Sequence, residues 1–246
     1  MSYLIYIVYA TLRAADYLYV PRDARGGSAP ATKLLDVPSP HPLNDAAINK
    51  LSAVVNAAPT VAHVPRDMVP DDFAGIEDLL APTDAGSEGG LSPGAGLLAG
   101  VVKAMQDFPD CAVMAMVRPR GGDFLYSQQE LEVMEADVRH AKETGADGVV
   151  FGLLDAVGNV DLANCARLAG LCADLGLDVT FHRAVDACRD PVEAAASLAR
   201  AGFRRVLTSG GQPLASDGAS TIRAMVEAVK GSGLSVMVGS GVRPEN

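Results

Sequence analysis

Short runs of β-branched and apolar residues alternate with longer amphipathic stretches from about residue 91 to the end of the chain. The short runs begin near Ala112, Gly148, Leu177, Arg205 and Leu234. Successive starts lie roughly 30 residues apart, which is the length of one strand and one crossover helix. The spacing predicts consecutive parallel β/α units.

The amphipathic stretches carry start and stop signals that agree with their helical periodicity. Ser127 and Glu130 have the spacing of a capping box, and Asp161 can cap the next helix. Asp190 followed by Pro191 is typical of a helix start. A further helix is predicted from about Ser220. Glycines stand where the helices should end: Gly145, Gly176, Gly202 and Gly231.

Residues 1–85 have a different pattern, because they hold most of the 15 prolines and leave little room for long helices. We predict a strand at Leu4 to Tyr9, a helix from Asp45 to Asn56, a strand at Thr60 to Val64, and a loop over residues 22–44. The chain is therefore divided into a divergent N-terminal segment, 1–85, which is partly loop, and a β/α barrel domain, 86–246.

The length and the charge narrow the class of protein. A chain of 246 residues has the usual size of one α/β barrel. The net charge of −10 repels polyphosphate and anionic lipid, and no apolar run is long enough to span a bilayer. We expect no nucleic-acid partner and no membrane partner. Any anionic ligand must be attracted by a local group of Arg side chains and backbone amides.

The four cysteines favour a reducing compartment. They form no CxxC pair and no dense disulfide framework. The apolar run at the start of the chain has no basic residue before it, so we predict no targeting peptide.

An ordered set of segments resembles the CutC copper homeostasis family. The segment from Met116 to Ser127 is similar to that family's signature. Residues 88–93 resemble the loop before its second helix. Four further segments resemble its strand ends: 145–152, 180–184 with Asp186, 207–210 and 239–242. Together these cover about 160 residues.

The resemblance implies a (β/α)8 TIM-type barrel, a cytoplasmic location, association into homo-oligomers and a role in copper handling. It extends to barrel strands three to seven, whereas strands one, two and eight are divergent or missing, so we predict an incomplete barrel. Two readings of this departure stay open. Either the N-terminal segment supplies substitute strands, or the chain is a truncated or mis-assembled fragment without function.

The candidate site follows from the fold, because the chemistry of a parallel barrel sits at the carboxyl ends of its strands. Guanidinium groups and glycine-rich turns there can bind a small carboxylate or phosphate. The predicted ligand-binding residues are Arg118, Arg120, Asp123, Arg183, Asp186, Thr208, Ser209, Gly210, Gly239 and Gly241. The alternative is that the arginines pair with Asp123, Asp155 and Asp186 and brace the loops.

His182 is the candidate catalytic residue. It shares a strand face with Thr180, opposite Val179 and Phe181, and it points into the mouth if the bulky pair packs on the helices. Its ordinary pKa suits a general acid or base. This leaves a second hypothesis, a barrel enzyme acting on a small phosphorylated or carboxylated metabolite, and whether the chain is an enzyme stays open.

Copper is suggested by the resemblance alone. Cu(I) prefers thiolate and thioether ligands. Cys165 and Cys172 lie on the apolar face of a helix, and Cys111 and Cys188 are also expected to be structural. Met114 and Met116 share a strand face with Arg118 and can fill the barrel interior beneath it. The metal-ligating residues are therefore unknown.

Overall fold

A computed structural model of the chain describes residues 3–7, 17–18, 90–106 and 111–240. The helix predicted at 45–56, the strand predicted at 60–64 and the loop predicted at 22–44 lie outside the described residues. The division at residue 85 likewise stays a prediction.

Helices and strands alternate from Ala95 to Gly239, as the spacing predicts. The strands are β1 (Tyr3–Ile7), β2 (Tyr17–Leu18), β3 (Cys111–Met116), β4 (Gly148–Phe151), β5 (Asp178–Phe181), β6 (Arg205–Thr208) and β7 (Ser235–Gly239). The helices are α1 (Ala95–Met105), α2 (Gln128–Thr144), α3 (Leu162–Asp174), α4 (Pro191–Arg200) and α5 (Ala219–Ala228), and a 3-10 helix covers Arg183–Ala187.

The strands form one sheet in the order β1-β3-β4-β5-β6-β7-β2. All neighbours are parallel except β2, which runs antiparallel to β7. β1 pairs with β3 from Tyr3 opposite Cys111 to Ile7 opposite Ala115. The N-terminal segment thus supplies a strand beside β3, in agreement with the first of the two readings. The predicted strand at Leu4 to Tyr9 is found two residues shorter at its end and one longer at its start. The architecture is an incomplete (β/α)8 barrel.

Strand alternation divides the sheet into two faces. One face packs against the helices, and Val113, Val149, Val179 and Val206 belong to that shared apolar core. The other face is also buried but lies outside this core, at Met114, Met116, Val150, Leu207 and Met237. It corresponds to the barrel interior.

Local signals fix the helix ends. The Ser127 side chain accepts from the Glu130 amide, and the Glu130 side chain accepts from the Ser127 amide, so the predicted capping box is present. Asp161 and Asp190 cap α3 and α4. Gly145 ends α2 in the left-handed region, at φ 98°. Among the described residues, no helix combines the length and the apolar character needed to cross a membrane.

Candidate anion site at the carboxyl end of the sheet

The strand register brings two predicted site residues and a glycine into one row. Met116 is paired with Val150, and Val150 with Thr180. Side chains two residues apart on a strand point to the same face. The positions two residues further along these three strands therefore share the inner face at its carboxyl edge: Arg118, Gly152 and His182.

The His182 ring occupies the space above Gly152. A Cβ atom at Gly152 would lie 2.5 Å from His182 Nδ1, so a side chain there would displace the ring. The other side of the ring faces Phe124, with 4.9 Å between ring centroids. The Arg118 guanidinium lies over the same phenyl ring, 5.0 Å from its centroid. We call Arg118, Phe124, Gly152 and His182 the mouth cluster.

A hydrogen bond to Nδ1 defines the tautomer of His182. Nδ1 accepts from the Ala184 amide at 3.2 Å, so Nδ1 carries no proton and the neutral ring carries its proton on Nε2. Nε2 is buried and has no hydrogen-bond partner among the described residues. The ring therefore holds an N–H donor that is shielded from water and unused within the part of the chain that is described.

Burial keeps this ring neutral. Desolvation, and secondly the positive charge of Arg118, lower the pKa of His182 from 6.5 to about 3. An imidazole with this pKa is a poor general acid or base near neutrality. At neutral pH the ring can act as a hydrogen-bond donor through Nε2.

The backbone around Arg118 is pinned by the loop before α1. The Arg118 amide donates to Ser92 Oγ at 2.9 Å, and the Ser92 amide donates to the Arg118 carbonyl at 2.9 Å. Ser92 Oγ in turn donates to Asp137 on α2 at 2.7 Å. The Arg118 side chain is 4 % exposed, and its Nη2 donates to the Gly122 carbonyl at 3.1 Å. The guanidinium is thus a buried positive charge held at a fixed place.

Arg120 belongs to a different group of contacts. It pairs with Glu130 and, at 3.0 Å, with Asp123. It also donates to the carbonyls of Gly121, Asp123 and Leu125. The Ser127 amide and then Arg120 lower the pKa of Glu130 to about 2. Arg120 and Asp123 therefore brace the loop after β3, which is the alternative that the sequence left open.

The turn after β6 is also satisfied from within the chain. The Asp186 carboxylate accepts from Thr208 Oγ1, from the amides of Ser209 and Gly211, and from Arg183 Nε. We call Arg183, Thr208, Ser209, Gly210 and Gly211 the Asp186 cradle. The turn after β6 thus presents donors to an anion, and the anion that it holds is a side chain of the same protein.

The last predicted positions lie at the end of β7. Gly239 is buried at the carboxyl edge, and the next residue, Ser240, donates to the Pro213 carbonyl at 2.6 Å. Gly241 lies outside the described residues. The structure thus places the described site residues in the mouth cluster, among the contacts of Arg120, in the Asp186 cradle and at the end of β7.

Comparison with known proteins agrees with this architecture. The family model of the CutC family matches residues 73–246. The human copper homeostasis protein cutC homolog is 48 % identical over 160 residues, covering 65 % of this chain and 56 % of the human protein. CutC from Histophilus somni is 42 % identical over 181 residues, covering 70 % of this chain and 72 % of that protein.

The chain belongs to the CutC family. The crystal structure of CutC from Streptococcus agalactiae superposes with a TM-score of 0.58 at 31 % identity, covering 64 % of this chain and 75 % of that one. The chain spans just over half the length of the human and mouse proteins that it matches.

The family name raises the question of copper, and the described side chains fit Cu(I) poorly. Burial raises the pKa of Cys165 and Cys172 to about 12 and that of Cys188 to about 11, so these thiols stay protonated. No group of three or more His, Cys, Asp or Glu side chains that could hold a metal occurs among the described residues. Met114 is buried, and its sulfur accepts from Arg205 at 3.7 Å.

Sequence reasoning did not assign roles to Phe124, Ser92 and Asp137. Phe124 lies inside the signature segment, but its packing on His182 depends on contacts 58 residues away in the chain. Ser92 and Asp137 act through the backbone of Arg118, which no periodicity reveals. Gly152 carried a signal, because a glycine that ends a buried strand is typical of close approach by another group.

The burial of His182 predicts a pH dependence of stability. Unfolded His182 takes up a proton below 6.5, whereas the folded ring stays neutral down to about 3, so acid favours the unfolded state. Between about pH 7.5 and about pH 5, wild type should lose about 2 kcal/mol more unfolding free energy than His182→Gln does. Urea unfolding at both pH values measures this difference. Equal losses in the two proteins would show that His182 is not buried in its neutral form.

Proposed function

We propose that this CutC-family chain binds a small anion, a carboxylate or a phosphate, at the mouth cluster. The observation that carries the proposal is the buried His182 Nε2 donor without a partner among the described residues. A buried N–H without an acceptor costs about 1–3 kcal/mol, and an acceptor atom from a ligand would recover that free energy. The adjacent Arg118 charge selects a negative acceptor over a neutral one.

Entry to this site requires movement of Phe124. The phenyl ring lies against both the His182 ring and the Arg118 guanidinium, and His182 Nε2 is buried. Phe124 is half-buried, between the exposed residues Asp123 and Leu125. A ligand that displaces the phenyl ring would exchange a ring contact for charge-assisted hydrogen bonds, which are the stronger interaction.

The hypothesis of a barrel enzyme is retained with a changed role for His182. A neutral ring with its proton on Nε2 stabilises negative charge on a bound carbonyl or phosphoryl oxygen. It does not take up a proton near neutral pH. The proposal therefore treats His182 as a donor to ligand oxygen, both in a binding protein and in an enzyme.

A cytoplasmic location and self-association complete the proposal. Cys165, Cys172 and Cys188 are free thiols, which suits a reducing compartment. The acidic net charge of −10 argues against nucleic acid and anionic lipid as partners. A homo-oligomer is proposed from the family resemblance.

We also propose that any part played in copper homeostasis does not depend on thiolates of the described cysteines. Two of these thiols are fully buried, Cys165 and Cys172, and Cys188 is 9 % exposed. Copper would have to displace packed side chains and remove protons that burial holds in place. Anion binding at the mouth cluster needs the displacement of Phe124 but no loss of a proton.

The anion proposal is tested with Arg118→Gln. Wild type should bind acetate or inorganic phosphate saturably, and the variant should bind at least about tenfold more weakly, because one buried charge-assisted contact is lost. His182→Gln should also weaken binding, by a smaller factor. Isothermal titration calorimetry measures all three affinities.

The matched control is Arg139→Gln, which removes an exposed arginine from α2 without touching the mouth cluster. Its affinity should equal that of wild type. Binding that survives in Arg118→Gln, or that falls equally in Arg139→Gln, would remove the mouth cluster as the site.

The thiol proposal predicts slow chemistry in the folded protein. Cys165, Cys172 and Cys188 should react with a disulfide reagent only on unfolding, since each is buried and protonated. Peptide mapping after brief labelling in native buffer and in urea identifies the modified residues. Rapid native labelling at Cys165 or Cys172, or protection of either by Cu(I) alone, would contradict the proposal.

A further inference from the structure

The donors of the Asp186 cradle converge on one carboxylate. Asp186 Oδ2 accepts from Arg183 Nε at 2.8 Å and from the Ser209 amide at 3.1 Å. Ser209 Oγ also lies 3.1 Å from Oδ2, and its one proton is shared with the nearer Gln212 carbonyl. Oδ1 accepts from the Gly211 amide at 3.0 Å and from Thr208 Oγ1. A guanidinium, two backbone amides and two hydroxyls therefore surround a side chain that is 10 % exposed.

Two glycines give this turn its backbone shape. Gly210 and Gly211 both have positive φ, 73° and 74°, which side chains rarely adopt. A Cβ atom at Gly210 would lie 2.3 Å from the Gly218 carbonyl oxygen. Successive amides in such a turn form a concave anion site. The two glycines bend the chain so that the amides of Ser209 and Gly211 both point at the same anion.

We propose that the Asp186 cradle is an oxyanion site whose resident anion is the Asp186 carboxylate. The protein fills this site itself, so a free anion does not bind there while Asp186 is present. Removal of that carboxylate opens a site for a small planar carboxylate such as formate, which can accept from the Arg183 guanidinium, the Thr208 hydroxyl and the two backbone amides. This site is separate from the mouth cluster, and the inference stands whether or not the mouth cluster binds a ligand.

The filled cradle also positions His182. Asp186 lies in the 3-10 helix that starts directly after His182, and the Ala184 amide of that helix fixes the His182 tautomer. By tying this helix to the turn after β6, the Asp186 carboxylate holds the Ala184 amide beneath the ring. Asp186 is thus a positioning residue for the mouth cluster.

The experiment replaces the resident anion with a free one. Asp186→Ala is prepared as the full chain and titrated with formate, with chloride at equal ionic strength as the reference. The thermal midpoint of the variant should rise saturably with formate, at concentrations at least about tenfold below any effect on wild type. The Ser209 and Gly211 amide resonances should shift along the same titration curve.

Asp155→Ala is the matched control, because Asp155 also accepts from two backbone amides, of Val157 at 3.0 Å and of Asn159 at 2.8 Å, but from no guanidinium among the described residues. It should respond to formate no more than wild type does. Adding Arg183→Gln to Asp186→Ala should reduce the response to the wild-type level, whereas adding Arg118→Gln should leave the response of the cradle intact. These two double variants separate the response of this site from that of the mouth cluster.

Two outcomes would overturn the inference: a folded Asp186→Ala without saturable formate binding, or an equal response in Asp155→Ala. Asp186→Ser, which keeps one hydroxyl in the cradle, serves if the alanine variant does not fold. If neither variant folds in chloride, the yield of refolding in formate decides, and equal yields in the two salts would overturn the inference as well.

Discussion

The absence of a side chain at Gly152 is the constraint on which the mouth of this barrel depends. The register of β3, β4 and β5 puts Arg118, Gly152 and His182 in one row of the inner face. Only a residue without Cβ leaves space for the His182 ring to lie across β4 toward Phe124. Burial of that ring beside a guanidinium then keeps it neutral. The donor character of His182 thus follows from packing before any chemistry is considered.

The Asp186 cradle and the mouth cluster differ in the partners of their hydrogen-bond donors. The Asp186 cradle holds its own carboxylate, so its charge is neutralised inside the fold. The mouth cluster holds a guanidinium under a phenyl ring and an imidazole donor that has no partner among the described residues. In a chain with a net charge of −10, an anion would reach such a site through local attraction against the overall field. The imidazole donor is the reason for proposing ligand binding at the mouth cluster.

Local signals allowed much of the fold to be predicted. Ser127, Glu130, Asp190 and Gly145 act within one turn of their helix ends, so sequence spacing was sufficient for each. The pairing of β1 with β3 was left open, because it joins residues more than 100 positions apart and no local pattern encodes the partner. The strand register of the structure was needed to identify β3 as the partner of β1.

The sequence predicted which residues form the candidate site better than it predicted which groups those residues contact. Arg118 and His182 were assigned to the carboxyl end of the sheet, where they lie together. Arg183 and the turn after β6 were predicted to attract an anion, but the sequence could not say whether Asp186 or a ligand would supply it. That choice depends on distances across 22 to 25 residues of chain. The neutrality of His182 depends on burial, which its ordinary pKa does not reveal.

The protonation of the His182 ring tests the central claim most directly. Long-range proton–nitrogen correlation spectra of the imidazole near neutral pH distinguish its charged form and its two neutral tautomers. The arrangement around Gly152 and Ala184 predicts a single neutral form, with the proton on Nε2 and an acceptor at Nδ1. A charged ring, or a proton on Nδ1, would contradict the buried donor on which the proposed anion site is built.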